Sequence, residues 1–97
     1  MPNGFTEAML AAGINPLYQG LTHIPKYFLY GANIESFIIP DYTESIGDWA
    51  FDSCKNLTEV TIGNNVTSIG ERAFYNCDSL TNVTIGNNVI TIGYKAF

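Results

Sequence analysis

The chain has 97 residues, of which 46% are hydrophobic and 13% charged, and its four Lys and Arg against nine Asp and Glu give a formal net charge of −5. This length predicts one domain with a thin core, and the charged fraction is about half of the roughly 25% that is usual. Nucleic-acid binding needs a basic stripe that displaces counterions from phosphates, so the acidic balance argues against DNA or RNA as a ligand.

Residues 1–20 form an N-terminal leader in which a short helix is predicted. Thr6 can cap this helix and Gly13 can end it, while Met9 and Leu10 supply its apolar side. We expect the helix to act as an N-terminal cap that covers the exposed core of the first repeat. The alternative is a docking peptide for a larger partner.

The leader has no basic segment, and its apolar run is too short for a signal peptide. Nor does any stretch of the sequence approach the roughly 20 apolar residues of a membrane helix. Export is therefore expected to need another route or a longer parent chain. The compartment is left open, and a place on a virion or a cell surface is compatible with membership of an assembly.

Residues 21–43 are predicted to be a diverged first repeat, as is expected where one side of a repeat faces a different neighbour. Its apolar residues align with those of the next copy if one residue is missing before Phe28: Ile24, Phe28, Ile34, Phe37 and Ile39 then match Ile46, Phe51, Leu57, Val60 and Ile62.

Residues 44–66 and 67–89 are two close copies of a 23-residue repeat, and residues 90–97 begin another copy. A fixed period of this length is the signature of stacked units that bury their apolar sides against each other. Alternating residues predict one short strand per copy, and Gly-Asn-Asn predicts the turn after it. A single helical turn carrying Ala73 and Phe74 is expected next.

The motif Ile-Gly-x-x-Ala-Phe-x-x-Cys-x-x-Leu-Thr-x-Val-Thr-Ile-Gly begins at Ile46 and again at Ile69. It resembles the BspA-like, or Treponema pallidum-type, leucine-rich repeat, closely over residues 44–97 and loosely over 21–43. The resemblance implies an interaction or surface-adhesion role, and similar arrays occur in protists and viruses. The expected fold is an α/β repeat: a short right-handed leucine-rich-repeat solenoid with about three parallel strands, an N-terminal helical cap and an incomplete last repeat.

Cys54 and Cys77 are one period apart, so stacking places them about 4.8 Å apart on adjacent coils. Parallel Cβ directions suit a disulfide poorly, and two buried thiols are the prediction. The only histidine, His23, is distant in sequence. We therefore expect no metal site and no cofactor.

Nothing in the sequence indicates an active site, because one histidine and no paired acids cannot supply a nucleophile, a base and an orienting group. The chain is not expected to be an enzyme. Asp48, Asp52, Glu71 and Asp78 are expected at outward, solvated positions.

The outer face of the predicted strands is the main candidate binding surface, since solenoids generally bind partners on such a sheet. The alternative is a solvated face without a partner. Two exposed columns are expected there: Ser36, Glu59 and Asn82 in one, and Ile38, Thr61 and Thr84 in the other.

A second candidate surface is the C-terminal end of the stack, where Phe97 follows the last Ala and precedes any further strand. The preceding strand would leave backbone donors and acceptors at an open edge. We expect this end to dock against another protein or a second copy of the chain.

Aromatic residues are concentrated early in the chain, and two interpretations of them stay open. They fill an irregular cap, which is favoured, or they form an interface. They are Tyr18, Tyr27, Tyr30 and Tyr42, together with Phe28 and Phe37.

The sequence thus predicts a non-enzymatic protein-protein interaction module, a structural component docked onto a larger assembly. Two alternatives remain: a cell-surface adhesion or host-binding fragment, and a virion accessory or capsid decoration protein. The expected partner is a protein or a second copy, reached through the open C-terminal edge or the N-terminal helix. Neither nucleic acid nor membrane insertion is expected.

Overall fold

The computed structural model describes residues 22–97, and the structural statements that follow concern this range. The predicted helical cap with Met9 and Leu10 lies outside it. Residues 22–97 contain strands and turns but no helix.

Seven short strands in this range form two parallel sheets whose strands alternate along the chain. Every neighbouring pair is parallel and in register one repeat apart, which confirms the predicted parallel-strand solenoid. One sheet has three strands, β2 (Ser36–Ile38), β4 (Glu59–Thr61) and β6 (Asn82–Thr84). The other has four, β1 (His23–Ile24), β3 (Ser45–Ile46), β5 (Ser68–Ile69) and β7 (Thr91–Ile92).

The four-stranded sheet was not predicted, because each of its strands is only two residues long. Two residues carry no alternation that a sequence pattern can detect. In β1, β3 and β5 the first residue is the more exposed one, and Ile24, Ile46 and Ile69 are buried. This sheet closes the second side of every coil.

The predicted helical turn at Ala73 and Phe74 is wrong. Arg72 and Asn76, on either side, have φ values of 51° and 58°, in the left-handed region that interrupts a right-handed helix. The backbone bonds to the next coil instead: the Phe74 N–H donates to the Ala96 carbonyl at 2.6 Å. This side of the coil is a series of tight turns tied to its neighbour.

A stack of phenylalanines forms the centre of the core. Phe51 lies on Phe74 and Phe74 on Phe97, with ring centroids 5.0 and 5.2 Å apart and planes within 7° of parallel. Phe51 and Phe74 are fully buried. Since an aromatic side chain buries on the order of 150–250 Å², this ladder is a major source of stability in so small a core.

The first repeat aligns differently from the prediction. The Leu29 N–H donates to the Ala50 carbonyl at 2.7 Å, just as the Phe51 N–H donates to the Ala73 carbonyl at 2.7 Å. Leu29, and not Phe28, therefore occupies the Phe51 position. Phe28 remains buried and meets the edge of the Phe51 ring at 6.2 Å between centroids.

The missing residue consequently lies further along the chain than predicted. Gly31 still matches Ser53, since both have positive φ, at 69° and 63°. Beyond it, the Thr58 N–H donates to the Glu35 carbonyl as the Thr81 N–H donates to the Thr58 carbonyl. The deletion falls between Gly31 and Glu35.

The Gly-Asn-Asn corners are turns, as predicted, and their asparagines also bind neighbouring coils. Asn65 Nδ2 donates to the Asp41 carbonyl at 2.5 Å, and Asn88 Nδ2 donates to the Asn64 carbonyl at 2.6 Å. Each corner thereby satisfies a backbone acceptor that no strand reaches.

One column of glycines sets how closely the coils approach. A Cβ built on Gly70 would lie 2.6 Å from the Asp48 backbone nitrogen, and one on Gly93 would lie 2.5 Å from the Glu71 backbone nitrogen. Backbone atoms cannot yield as a flexible side chain can. Only glycine therefore permits this spacing after Ile46, Ile69 and Ile92.

Replacing Gly70 by Ala should lower the thermal unfolding midpoint, because the added Cβ forces two coils apart at an overpacking cost of roughly 1–3 kcal/mol. Circular dichroism melting of the purified variant measures the shift. Gly63→Ala is the matched control, since its Cβ would lie 3.2 Å from its nearest atom, the Pro40 carbonyl oxygen, and should cost less. Equal midpoints for the two variants would contradict this account of coil spacing.

Candidate interaction surfaces

The structure places the six predicted sheet residues on the three-stranded sheet, in the two columns expected from the strand pattern. Inward-facing Phe37, Val60 and Val83 separate the columns along each strand. The first column pairs Ser36 with Glu59 and Glu59 with Asn82, and the second pairs Ile38 with Thr61 and Thr61 with Thr84.

The chemistry of this outer face is mostly uncharged and polar. Glu59 is its only ionisable side chain within the three strands, and hydroxyl groups follow each other in the second column. Ile38 is 60% exposed at one end of that column, where its apolar surface is uncovered. A fixed backbone spacing of about 4.8 Å presents these groups rigidly, which suits recognition of a surface and not reaction with a small molecule.

The C-terminal end of the stack exposes residues whose counterparts one coil earlier are buried. Ile62, Ile69 and Phe74 are at most 2% exposed. The equivalent residues of the last coil are far more accessible: Ile85 at 42%, Ile92 at 52% and Phe97 at 47%. We call these three residues the end face.

The two cysteines form a ladder of free thiols on adjacent coils. Cys54 Sγ lies 3.2 Å from the Leu29 carbonyl oxygen, and Cys77 Sγ lies 3.2 Å from the Phe51 carbonyl oxygen. Hydrogen bonding to Cys77 and burial raise the pKa of Cys54. The hydrogen bond from Cys54 lowers the pKa of Cys77, which is only partly buried.

One of the acids expected in solvent is buried. Asp52 lies on the inner side of its turn, where its Oδ1 accepts a hydrogen bond from Ser53 Oγ at 2.7 Å. Its neighbour Asp48 holds the next coil, because its Oδ1 accepts the Glu71 N–H at 2.8 Å. Asp48 therefore ties two turns together, and the predicted solvated position is wrong for Asp52 because this residue is buried.

A surface that the sequence did not predict lies on the turn side of the coils. Its central column places one residue of each coil in register, since the Tyr27 N–H donates to the Asp48 carbonyl and the equivalent bond recurs in the next two coils. We call this surface the aromatic ridge. Its central column is Tyr27, Trp49, Arg72 and Lys95, and it is flanked by Lys26, Tyr30, Tyr75 and Tyr94.

The ridge side chains contact one another along the solenoid axis. Tyr27 stacks on Trp49 with centroids 5.2 Å apart and planes 7° from parallel. Arg72 Cζ lies 5.4 Å from the Tyr75 centroid and 5.6 Å from the Tyr94 centroid. The first half of the ridge is thus aromatic, and the second half alternates cations with aromatic rings.

The favoured interpretation of the early aromatic residues holds for only part of the set. Phe28 and Phe37 are buried in the core, as a cap-filling role requires. Tyr27 and Tyr30 are 52% and 53% exposed, and Tyr42 is exposed as well. Tyr18 lies outside the described range.

Within residues 22–97, no three His, Cys, Asp or Glu side chains come together as a set of metal ligands. His23 instead shares a hydrogen bond of 2.6 Å between its Nδ1 and Ser45 Oγ. The same range includes no helix with the length and apolar character required to span a membrane.

Comparison with known families gives one match, to the family described as BspA type Leucine rich repeat region, in six copies across residues 19–97. No curated protein and no solved structure shows significant similarity to the chain. The family match spans both sheets, the aromatic ridge and the end face.

The two thiols should differ in reactivity, because a lowered pKa leaves more thiolate on Cys77 at any given pH. Iodoacetamide should label Cys77 in the folded protein and Cys54 only after unfolding, as measured by mass spectrometry of the digested chain. Replacing Cys54 by Ala removes the hydrogen bond, so the pH profile of Cys77 labelling should move to higher pH. Cys54→Ser keeps a donor and is the control; identical profiles for both variants would contradict the assigned cause.

Proposed function

Because the chain belongs to the BspA-type leucine-rich repeat family, we propose that it is a non-enzymatic protein-interaction module that binds a partner on the outer face of its three-stranded sheet. Repeats of this family commonly mediate protein-protein interaction or adhesion, and they generally serve as binding scaffolds. The chain matches the family over residues 19–97.

The observation that carries the proposal is the in-register arrangement of the two outer columns. Glu59 offers a charge, Asn82 and the threonines offer donors and acceptors, and Ile38 offers an uncovered apolar contact. Parallel strands fix all of these groups in the free protein, so little conformational freedom is lost on binding. A preformed polar face with one apolar end has the mixed character of a protein-protein interface, so it is suited to binding the surface of another protein.

The size of this face favours a component held within a larger assembly. Three strands at about 4.8 Å spacing span only roughly 10 Å, well below the width of a standard interface. One such contact is weak alone. Docking at a second surface would raise the overall affinity by making the second contact intramolecular.

The end face supplies a second surface suited to such docking. Its three apolar side chains and the edges of β6 and β7 match the surface that each earlier coil offers to its successor. A coil provided by any polypeptide would bury these side chains and pair with both edges. Adhesion at a cell surface and decoration of a virion stay as predictions beside this assembly role.

Site-specific photo-crosslinking tests the sheet-face proposal. A photoreactive amino acid at Thr61 should crosslink to one partner in an extract of the native source, whereas the same amino acid at exposed Glu44, which directly precedes β3 of the four-stranded sheet, should not. Glu59→Arg should abolish the Thr61 crosslink without lowering the unfolding midpoint, because this side chain is exposed. Equal crosslinking from Thr61 and Glu44 would contradict a partner on the three-stranded sheet.

The end face can be tested through self-association of the 97-residue polypeptide. Light scattering after size exclusion should show a mass that rises with concentration, because an apolar surface is buried on contact. Ile92→Asn should suppress the rise. Ile90→Asn, the same change on the outward column of Glu44 and Thr67, should not; a folded monomer at every concentration would exclude docking of this kind.

A further inference from the structure

The four central residues of the aromatic ridge have an unfavourable backbone conformation that glycine would adopt more easily. All four central residues, Tyr27, Trp49, Arg72 and Lys95, have φ between 51° and 62°. A left-handed backbone is unfavourable for any residue with a Cβ, and glycine is the residue that relieves it. Four successive coils keep large side chains where glycine would be easiest, so these side chains contribute something that glycine cannot.

The ridge also gathers the positive charge of the chain. Three of the four Lys and Arg residues lie on it, Lys26, Arg72 and Lys95, although the net charge is −5. Arg72 is paired with Glu71 at 3.3 Å. Lys26 and Lys95 lie at opposite ends of the ridge and contact aromatic rings, at 5.7 Å from the Trp49 centroid and 5.4 Å from the Tyr94 centroid.

The composition of the ridge indicates the class of its ligand. Trp, Tyr and Arg are the residues most enriched in the energetic centres of protein interfaces. Tyr27 and Tyr94 are 52% and 64% exposed, so apolar ring surface is accessible at both halves of the ridge. The acidic remainder of the chain would repel a long polyanion, whereas a short acidic segment can lie between Lys26 and Lys95, with Arg72 already paired to Glu71.

We propose that the aromatic ridge is a second binding surface, which takes a short, extended acidic segment of a partner protein. The carboxylate at one end of the segment pairs with Lys26 and the carboxylate at the other end with Lys95. An apolar side chain between them, on the same face of the extended segment, packs on the rings of Tyr27, Trp49 and Tyr94. This surface lies on the turn side of the coils and is separate from the sheet face. Either binding proposal can therefore be contradicted while the other stands.

The dimensions of the ridge fix the length of the segment. Lys26 and Lys95 belong to the first and the fourth coil, so three steps of about 4.8 Å separate them by roughly 14 Å. An extended peptide advances about 3.3 Å per residue, so a segment of about five residues covers this distance. Carboxylates about four residues apart would reach both lysines.

Trp49 provides a direct readout, because it is the only tryptophan of the chain and lies in the ridge. The probe is the acetylated peptide Glu-Ser-Phe-Ser-Glu, whose side chains at positions 1, 3 and 5 share one face of an extended chain, and it is titrated while Trp49 emission is followed. We expect a saturable change in emission that weakens as salt is raised. The matched peptide Lys-Ser-Phe-Ser-Lys should produce none at the same concentrations.

Variants distinguish the ridge from general electrostatic attraction. The double variant Lys26→Gln, Lys95→Gln should lose about tenfold or more in affinity for the acidic peptide. Lys55→Gln is the control, since it removes one cation off the ridge, where Lys55 pairs with Asp78 at 3.1 Å. Lys95→Gly should weaken binding with no fall in the unfolding midpoint, because glycine suits the positive φ.

Three results would overturn the proposal. One is equal binding of the acidic and the basic peptide, and another is full affinity in the double lysine variant. The third is a response of Trp49 to a heparin fragment or to a neutral oligosaccharide but not to the acidic peptide, which would assign the ridge to a polyanion or a sugar.

Discussion

In-register stacking of one coil on the next is the interaction on which the rest of this structure depends. Each strand pairs with its counterpart one repeat away, and Phe51, Phe74 and Phe97 stack on one another in the core. Because contacts run only between neighbours, the free energy of unfolding is approximately a sum over coils and their interfaces. The same translation that builds the core also arranges the exposed residues in columns, so the binding surfaces follow directly from the stacking.

The tight turns and the glycine column keep that translation short. Gly47, Gly70 and Gly93 allow backbone to meet backbone, and the turn N–H groups donate alternately within a coil and to the next coil. The core is thin, so its side-chain contacts are too few to fix the register of the coils by themselves. The backbone pairing on both sheets supplies the register that the side chains alone do not.

Repeat alignment was sufficient to predict the parts of the fold that depend on strand periodicity. The pairing of Glu59 with Asn82 and the burial of Val60 follow from alternation along a strand whose position the motif defines. The predicted sheet columns were accessible to sequence reasoning for the same reason. Their use as a binding site remains a prediction, as does the helical leader.

The errors arose where local conformation is independent of residue type. The residue types of Arg72 and Trp49 do not indicate a left-handed backbone. The sequence pattern of the turn side therefore predicts a helical turn, and it does not predict the aromatic ridge. Phe28 was matched to Phe51 because both are aromatic, whereas the hydrogen bonds assign that place to Leu29. Side-chain similarity is a poor guide to alignment when adjacent residues are both apolar and one deletion is present.

The position of that deletion, between Gly31 and Glu35, indicates where a coil of this solenoid tolerates a change in length. The strands on either side of it, β1 and β2, keep their pairing with the next coil. A corner that joins a turn segment to a β-strand therefore absorbs a change in length without disturbing either sheet. Natural variation in length is expected to accumulate at this corner in each coil. It is also the place where a loop or an epitope can be grafted while both sheets stay intact.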